Sequence, residues 1–338
     1  MDTASVKLSI PDEVDPVSIM GGGDAVLRAI EERTGARIVV RGRQISLSGS
    51  AEEVELLTRL FTFLIKEARV GDTPSVTEVE RAMQTLRESV MDLSGFRDDI
   101  LLTYRGKAIR PKTVGQKRYI DAIRRNTVTF CLGPAGTGKT YLAMAMAITA
   151  FKNEQVGRII LTRPAIEAGE KLGFLPGDLQ SKIDPYLRPL YDALYQIMGA
   201  ESFQRNMEKG LIEVAPLAYM RGRTLDNAFI ILDEAQNTTP AQMKMFLTRI
   251  GFGSKVVVTG DMTQKDLPRD TVSGLEVATK VLSKVEEIAF IKLTNKDVVR
   301  HPLVQKIVKA YEDYEENQAK AAKRREARKG SQTGRRKN

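Results

Sequence analysis

The chain has 338 residues, of which 42% are hydrophobic and 28% charged, and its formal net charge is +9. No apolar run reaches membrane-spanning length, and the single cysteine and single histidine exclude an internal disulfide and a multi-histidine metal site. We therefore expect a cytoplasmic protein that does not associate with membranes and has room for two domains.

Residues 1–70 predict a small α/β module. Periodicity favours the order β-α-β-β-α, with strands at 6–10, 37–40 and 44–47 and helices at 24–33 and 51–66. Residues 19–40 resemble the KH family of RNA-binding modules, in which a G-x-x-G loop contacts the nucleic-acid backbone. The loop here is Gly21-Gly-Gly-Asp24, and a carboxylate at its last position is unfavourable beside phosphates. RNA binding by this module and a role in assembly alone are both open at this point.

Residues 71–111 predict a linker that carries one amphipathic helix. Val79, Met83 and Leu86 recur at helical spacing within a helix expected at 77–93, so one side of it should dock against an apolar surface. Residues 104–111 predict a loop or a short hairpin.

Residues 112–316 alternate between predicted strands and helices, which indicates a parallel sheet covered on both faces. Strands are expected at 127–132, 158–162, 212–215, 228–232, 255–259 and 288–293. Helices are expected at 116–124, 140–151, 186–198, 240–248, 274–282 and 302–315. Residues 317–338 predict a disordered tail, whose last 21 residues hold nine basic residues and one acid and so carry most of the net charge.

A phosphate-binding loop of the form G-x-x-x-x-G-K-[ST] lies between an apolar strand and a helix-forming run. Its glycines allow backbone N–H groups to turn toward phosphates. Lys139 is expected to reach the β- and γ-phosphates, and Thr140 to bind Mg²⁺. The eight positions of the loop are Gly133, Pro134, Ala135, Gly136, Thr137, Gly138, Lys139 and Thr140.

Two further strands end in polar residues that should meet at the same edge of the sheet. Asp233 is expected to hold Mg²⁺ together with Thr140, and Glu234 to act as the general base for an attacking water. Gln264 is a candidate sensor of the γ-phosphate, with Asp261 orienting it. Upstream, the amide of Gln116 could match the N6 and N7 edge of adenine, which would select ATP. Residues 295–298 lack the spacing of a guanine-binding motif and predict an ordinary turn.

These motifs together resemble the PhoH-like proteins, which are bacterial P-loop ATPases related to the cores of superfamily 1 helicases. The resemblance rests on Gln116, the phosphate loop, Asp233-Glu-Ala-Gln236, Gly260-Asp-Met-Thr-Gln264 and Val299-Arg-His-Pro-Leu303, and it covers all but the basic tail. It implies a RecA-like α/β fold, a role in RNA metabolism and a YbeY-type endoribonuclease as partner. The leading hypothesis is a Mg²⁺-dependent ATPase that handles single-stranded RNA, with helicase or remodelling activity. An ATP-switched RNA-binding adaptor and a small-molecule kinase are the alternatives.

A single phosphate loop leaves the γ-phosphate side of a lone domain open to water. We therefore predict a ring, a homo-hexamer, in which a neighbour supplies an arginine. The candidates are Arg221, Arg223, Arg300 and Arg163, and Arg300 could also act within its own chain. Salt bridges and RNA contacts are the competing interpretations of these arginines.

Overall fold

The structure, a computed structural model, describes residues 3–69, 71, 73–88, 99–164, 179–268 and 270–299, together with 303–304, 307–308, 310–311 and 314. It divides into two compact units, Met1–Asp297 and Val298–Asn338. In the second unit Val298 and Val299 have no regular structure, while the described residues from 303 to 314 are helical and fall within the predicted helix at 302–315. Arg300 and the basic tail lie outside the described residues.

The N-terminal module is a three-stranded antiparallel sheet with helices packed on one face. Its elements are β1 (Thr3–Ser9), α1 (Pro16–Met20), α2 (Ala25–Glu31), β2 (Arg37–Arg41), β3 (Gln44–Ser50) and α3 (Ala51–Arg69). The strand order is β1-β3-β2. The predicted order of elements is confirmed except for α1, which is too short to show apolar periodicity and is started by the Asp15 cap and Pro16. Asp24 adopts a left-handed backbone conformation with φ 60°.

We had expected helix α4 (Val76–Glu88) to lie in a linker. In the structure it belongs to the N-terminal module. Its apolar side, with Val79 and Met83, is buried in the same core as α2 and α3. An ion pair of 2.9 Å between Arg33 and Glu80 fixes it to the end of α2. The docking of this helix on an apolar surface is thus confirmed, and the surface is that of its own module. Residues 89–98 lie outside the described part.

The chain then forms a short hairpin, β4 (Leu101–Leu102) and β5 (Ala108–Ile109), which begins before the loop or short hairpin predicted at 104–111, and enters a six-stranded parallel sheet. Its strands are β6 (Val128–Leu132), β7 (Arg158–Arg163), β8 (Ile212–Pro216), β9 (Ala228–Leu232), β10 (Lys255–Gly260) and β11 (Ile288–Lys292). They lie in the order β11-β6-β10-β9-β7-β8. Each strand ends within one residue of its predicted bounds, and the α/β fold is confirmed.

Six helices accompany this sheet in the described residues. They are α5 (Val114–Arg125), α6 (Lys139–Lys152), α7 (Leu179–Met198), α8 (Ala200–Glu208), α9 (Pro240–Leu247) and α10 (Gly274–Val281). Helix α7 starts seven residues earlier than predicted and contains both Pro185 and Pro189, and α8 was not predicted. No helix in the described residues is both long and apolar enough to cross a bilayer.

Strand β9 shows how the sheet is buried. Phe229 and Ile231 face the core that α5, α6 and α7 cover, while Ile230 and Leu232 face the core under α9 and α10. Successive side chains of a strand point to opposite faces, so both faces of this strand are apolar. This packing on both faces fixes the position of β9, and therefore of Asp233, which follows it.

We predict that Ile231→Ala lowers the free energy of unfolding by about 2–5 kcal/mol, because it leaves a cavity at a fully buried position. Val281→Ala is the control, since Val281 is 68% exposed and its truncation should change stability by less than about 0.5 kcal/mol. Urea denaturation followed by circular dichroism measures both. Equal stabilities of the two variants would contradict the packing described here.

Candidate active site

The candidate site lies where the parallel strands end. The phosphate loop follows β6, Asp233 follows β9, and Asp261 follows β10, which lies between those two strands. A pocket of about 270 Å³ opens at this edge. Its lining residues are Ala135, Gly136, Gly138, Lys139, Thr140, Tyr141, Asp233, Glu234, Gly260, Asp261 and Gln264. The loop, the two acids and Gln264 are therefore brought together as predicted.

The phosphate loop is tied by its own side chains. Thr137 is fully buried, and its hydroxyl donates to the Pro134 carbonyl at 2.8 Å. Gly136 and Gly138 have φ of 83° and 79°, a region that glycine adopts without strain. A side chain at Gly133 would come within 2.7 Å of the Leu293 carbonyl oxygen. The loop thus needs glycine for backbone shape at two positions and for close packing at a third.

Lys139 points into this loop. Its Nζ donates to the carbonyl oxygens of Gly133 at 2.6 Å and Pro134 at 2.9 Å. Partial burial lowers the pKa of Lys139 from its usual value, while Cys131 and the acids of the pocket act to raise it. The amine therefore lies in the concave side of the loop, where a bound phosphate would meet it.

Asp233 is buried and joins two hydroxyl groups. Its Oδ1 accepts from the Thr140 hydroxyl at 2.6 Å and from the Thr259 hydroxyl at 2.7 Å. These hard oxygen groups suit Mg²⁺, which takes one or two protein ligands and completes its shell with phosphate and water. The described residues contain no cluster of three or more His, Cys, Asp or Glu that could hold a metal on its own. The donor set fits Mg²⁺ brought with a nucleotide.

Glu234 is held at both carboxylate oxygens. Its Oε1 lies 3.3 Å from a guanidinium nitrogen of Arg163, and its Oε2 accepts from the Gln236 amide at 2.5 Å. Arg163 ends strand β7, next to β9, and also donates to the Tyr186 carbonyl of α7 at 3.1 Å. Arg163 therefore positions Glu234 of its own chain.

A buried amide connects Glu234 with the end of β10. Gln236 accepts from the Asp261 backbone N–H at 3.0 Å and donates to the Gln264 carbonyl at 3.1 Å. Asp261 Oδ1 accepts from the Thr263 hydroxyl, and its Oδ2 is buried without a hydrogen-bond partner among the described residues. Gln236 was not among the predicted site residues, although its position two residues after Glu234 could have indicated it.

Gln116 is buried behind the phosphate loop. Its Nε2 donates to the Thr137 carbonyl at 3.0 Å, and its Oε1 accepts from the Lys112 N–H at 2.7 Å. Adenine recognition by Gln116 stays a prediction, and it would require the amide to use its second N–H or to leave a partner. In the described contacts this side chain supports the loop.

Asp297 is linked to Gln116 through Thr113. We had expected residues 295–298 to form an ordinary solvated turn, but Asp297 is buried. It is 7% exposed, and its Oδ1 accepts from the Thr113 hydroxyl at 2.5 Å. Thr113 caps α5 by accepting from the Gln116 N–H at 3.1 Å. A run of contacts thus leads from Asp297 through Thr113 and Gln116 to the loop.

The candidate arginines have different surroundings. Arg223 donates to both carboxylate oxygens of Glu213, at 2.6 and 2.7 Å, and this hydrogen bonding raises the pKa of Arg223. The salt-bridge interpretation holds for Arg223, and Arg163 contacts Glu234 of its own chain. Arg221 is exposed, and its side chain has no partner among the described residues.

Comparison with known proteins agrees with this arrangement. A family model described as PhoH-like protein matches residues 108–312. A PhoH-like protein of Bacillus subtilis is 52% identical over 308 residues, covering 90% of this chain and 96% of that protein. One of Mycobacterium tuberculosis is 56% identical over 318 residues, covering 93% and 90%. Protein PhoH of Escherichia coli is 47% identical over 205 residues, covering 60% and 58%. The chain therefore belongs to the PhoH-like protein family.

Proposed function

We propose that the chain is a Mg²⁺-dependent ATPase that acts on RNA in the cytoplasm. The observation that supports the ATPase is that Lys139, Thr140, Asp233 and Glu234 line one pocket at the edge of the sheet. Each has the chemistry that phosphoryl transfer to water requires at that place. The family membership supports nucleotide binding in the same pocket.

In this proposal the loop N–H groups and the N-terminus of α6 bind the phosphates. The Lys139 amine gives up its hydrogen bonds to the two loop carbonyls and donates to phosphate oxygens instead. Thr140 and Asp233 hold Mg²⁺, which supplies positive charge to the β- and γ-phosphates when bound. Glu234 orients a water molecule and accepts its proton. Arg163 and Gln236 keep the Glu234 carboxylate in place.

The RNA part of the proposal rests on the KH-like module, on the basic tail and on what the family resemblance implies. Single-stranded RNA is the proposed ligand, and a YbeY-type endoribonuclease is a proposed partner. The alternative is an ATP-switched RNA-binding adaptor for an endoribonuclease or a ribosome-related partner. The two differ in whether RNA changes the rate of ATP hydrolysis.

We predict that single-stranded RNA stimulates ATP hydrolysis and that EDTA or Lys139→Ala abolishes it, because no other described cation lines the pocket. Phosphate release with and without RNA measures this. ATP binding without turnover would favour the adaptor, and transfer of phosphate to a small acceptor would favour a kinase.

We predict that Glu234→Gln binds ATP with nearly unchanged affinity but hydrolyses it about 10²–10⁴-fold more slowly, because the amide keeps the shape and loses the base. Single-turnover kinetics separate the chemical step from nucleotide affinity. Near-normal turnover would remove Glu234 from this role.

We further propose that the active form is a homo-hexamer in which Arg221 acts on the neighbour's nucleotide. Arg221 follows edge strand β8, four strands from β6, and this separation is about 19 Å at the usual strand spacing. Arg221 is not among the residues that line the pocket of its own chain. Its exposure leaves it available to a second copy.

We predict that Arg221→Ala lowers turnover by about 10³-fold or more, whereas Arg223→Ala, whose partner is Glu213 in the same chain, does so far less. Mixing Arg221→Ala with Lys139→Ala, each inactive alone, should restore ATPase activity when subunits exchange. A fully active monomer in sedimentation at the assay concentration would contradict a shared site.

A further inference from the structure

The three-stranded sheet of the N-terminal module has one face that its own helices do not cover. We call this surface the open face. The register places Ser5, Ser48 and Arg37 in one row, Lys7, Ser46 and Val39 in the next, and Ser9, Gln44 and Arg41 in the third. The alternate positions, among them Leu8, Ile45 and Val40, face the core under the helices. The open face is therefore defined by the alternation of the strands.

The composition of the open face is unusual for a solvated sheet surface. Its nine positions hold four serines, a glutamine, a valine and no carboxylate, and its three cations are Lys7, Arg37 and Arg41. Charged surface residues of a protein usually mix both signs. The body of this chain is almost neutral, so the one-sided charge here is local and does not reflect the overall composition.

These three cations also differ from the other basic residues of the module in their contacts. Lys7, Arg37 and Arg41 are exposed, and their side chains have no ion-pair or hydrogen-bond partner among the described residues. The other basic residues within 3–69 each have an interaction partner: Arg28, Arg33, Arg43, Arg59, Lys66 and Arg69. Within residues 3–69, the cations of the open face are therefore the ones left for an external ligand.

We propose that the open face binds the sugar–phosphate backbone of RNA, an inference that rests on the proposed RNA-handling function. Arg37 and Arg41 lie four residues apart on one strand, about 13 Å, and Lys7 lies two strands away, about 10 Å. Cations at these separations meet several phosphates of one strand, and the serine hydroxyls between them donate to phosphate oxygens. The open face carries no aromatic side chain for base stacking, so the contact is with the backbone and tolerates any sequence.

This surface is separate from the Gly21–Asp24 loop. That loop connects α1 with α2, and both helices contribute to the core on the inner side of the sheet. Backbone binding at the open face does not place a phosphate beside the Asp24 carboxylate. It therefore gives the module an RNA contact whether or not the loop binds RNA.

The test uses the full chain with Lys7→Gln, Arg37→Gln and Arg41→Gln combined. Fluorescence anisotropy with a labelled single-stranded RNA is measured over a range of salt concentrations. We expect at least a tenfold loss of affinity at low salt and a salt slope shallower by about 2, because each phosphate contact to a single strand contributes about 0.7. The control combines Lys152→Gln, Lys209→Gln and Lys284→Gln. These three exposed lysines lie before the amino ends of strands β7, β8 and β11 in the parallel sheet. The control should bind like the wild type, and ATPase activity without RNA should be unchanged in both.

A second measurement needs no variant. RNA should protect Lys7 of the wild-type chain from acetylation, read by mass spectrometry, and should not protect Lys152. If wild-type protein binds RNA and neither the affinity of the triple variant nor the acetylation of Lys7 changes, the open-face proposal is overturned while the proposed function stands. If wild-type protein binds no RNA, both fail. If the triple variant binds RNA like the wild type but loses binding to an acidic protein, the proposal is also overturned.

Discussion

One carboxylate oxygen, Asp233 Oδ1, holds together the elements on which the site depends. It accepts hydroxyl hydrogen bonds from Thr140, the last residue of the phosphate loop, and from Thr259 in β10, while the Asp233 N–H donates to the Thr162 carbonyl of β7 at 2.9 Å. A buried carboxylate is costly unless it is hydrogen-bonded, so these contacts are mutually required. The loop and the ends of β7, β9 and β10 therefore keep fixed positions relative to one another.

The contacts of each basic residue indicate its role, which the net charge of the chain does not. Arg223 pairs with Glu213 and Arg33 pairs with Glu80, so these guanidinium groups stabilise the fold. Arg163 pairs with the proposed base and connects it to α7. Arg221 and the cations of the open face have no such contacts in the described residues, and they are the groups that we assign to other molecules.

Local pattern was sufficient to predict the strands and the phosphate loop, because a strand buried on both faces is a short continuous apolar run and the loop is a fixed motif. It was insufficient where a contact joins distant parts of the chain. The bond between Thr113 and Asp297 spans 184 residues, so Asp297 looked like part of a turn. The pairing of Arg163 with Glu234 depends on β7 lying beside β9, which no local pattern encodes. Helix α7 begins at Leu179, before the predicted start at 186, and it contains Pro185 and Pro189, although proline usually interrupts a helix.

The internal hydrogen bonds of the phosphate loop have a consequence for the thermodynamics of nucleotide binding. Thr137, Lys139 and the Gln116 amide already hold the loop in its curved form, so little conformational entropy remains to be lost on binding. Binding becomes an exchange of partners at the Lys139 amine, in which two carbonyl contacts are given up for phosphate contacts. Its enthalpy is then the difference between two sets of charge-assisted hydrogen bonds, and a fast association rate is compatible with a modest heat of binding.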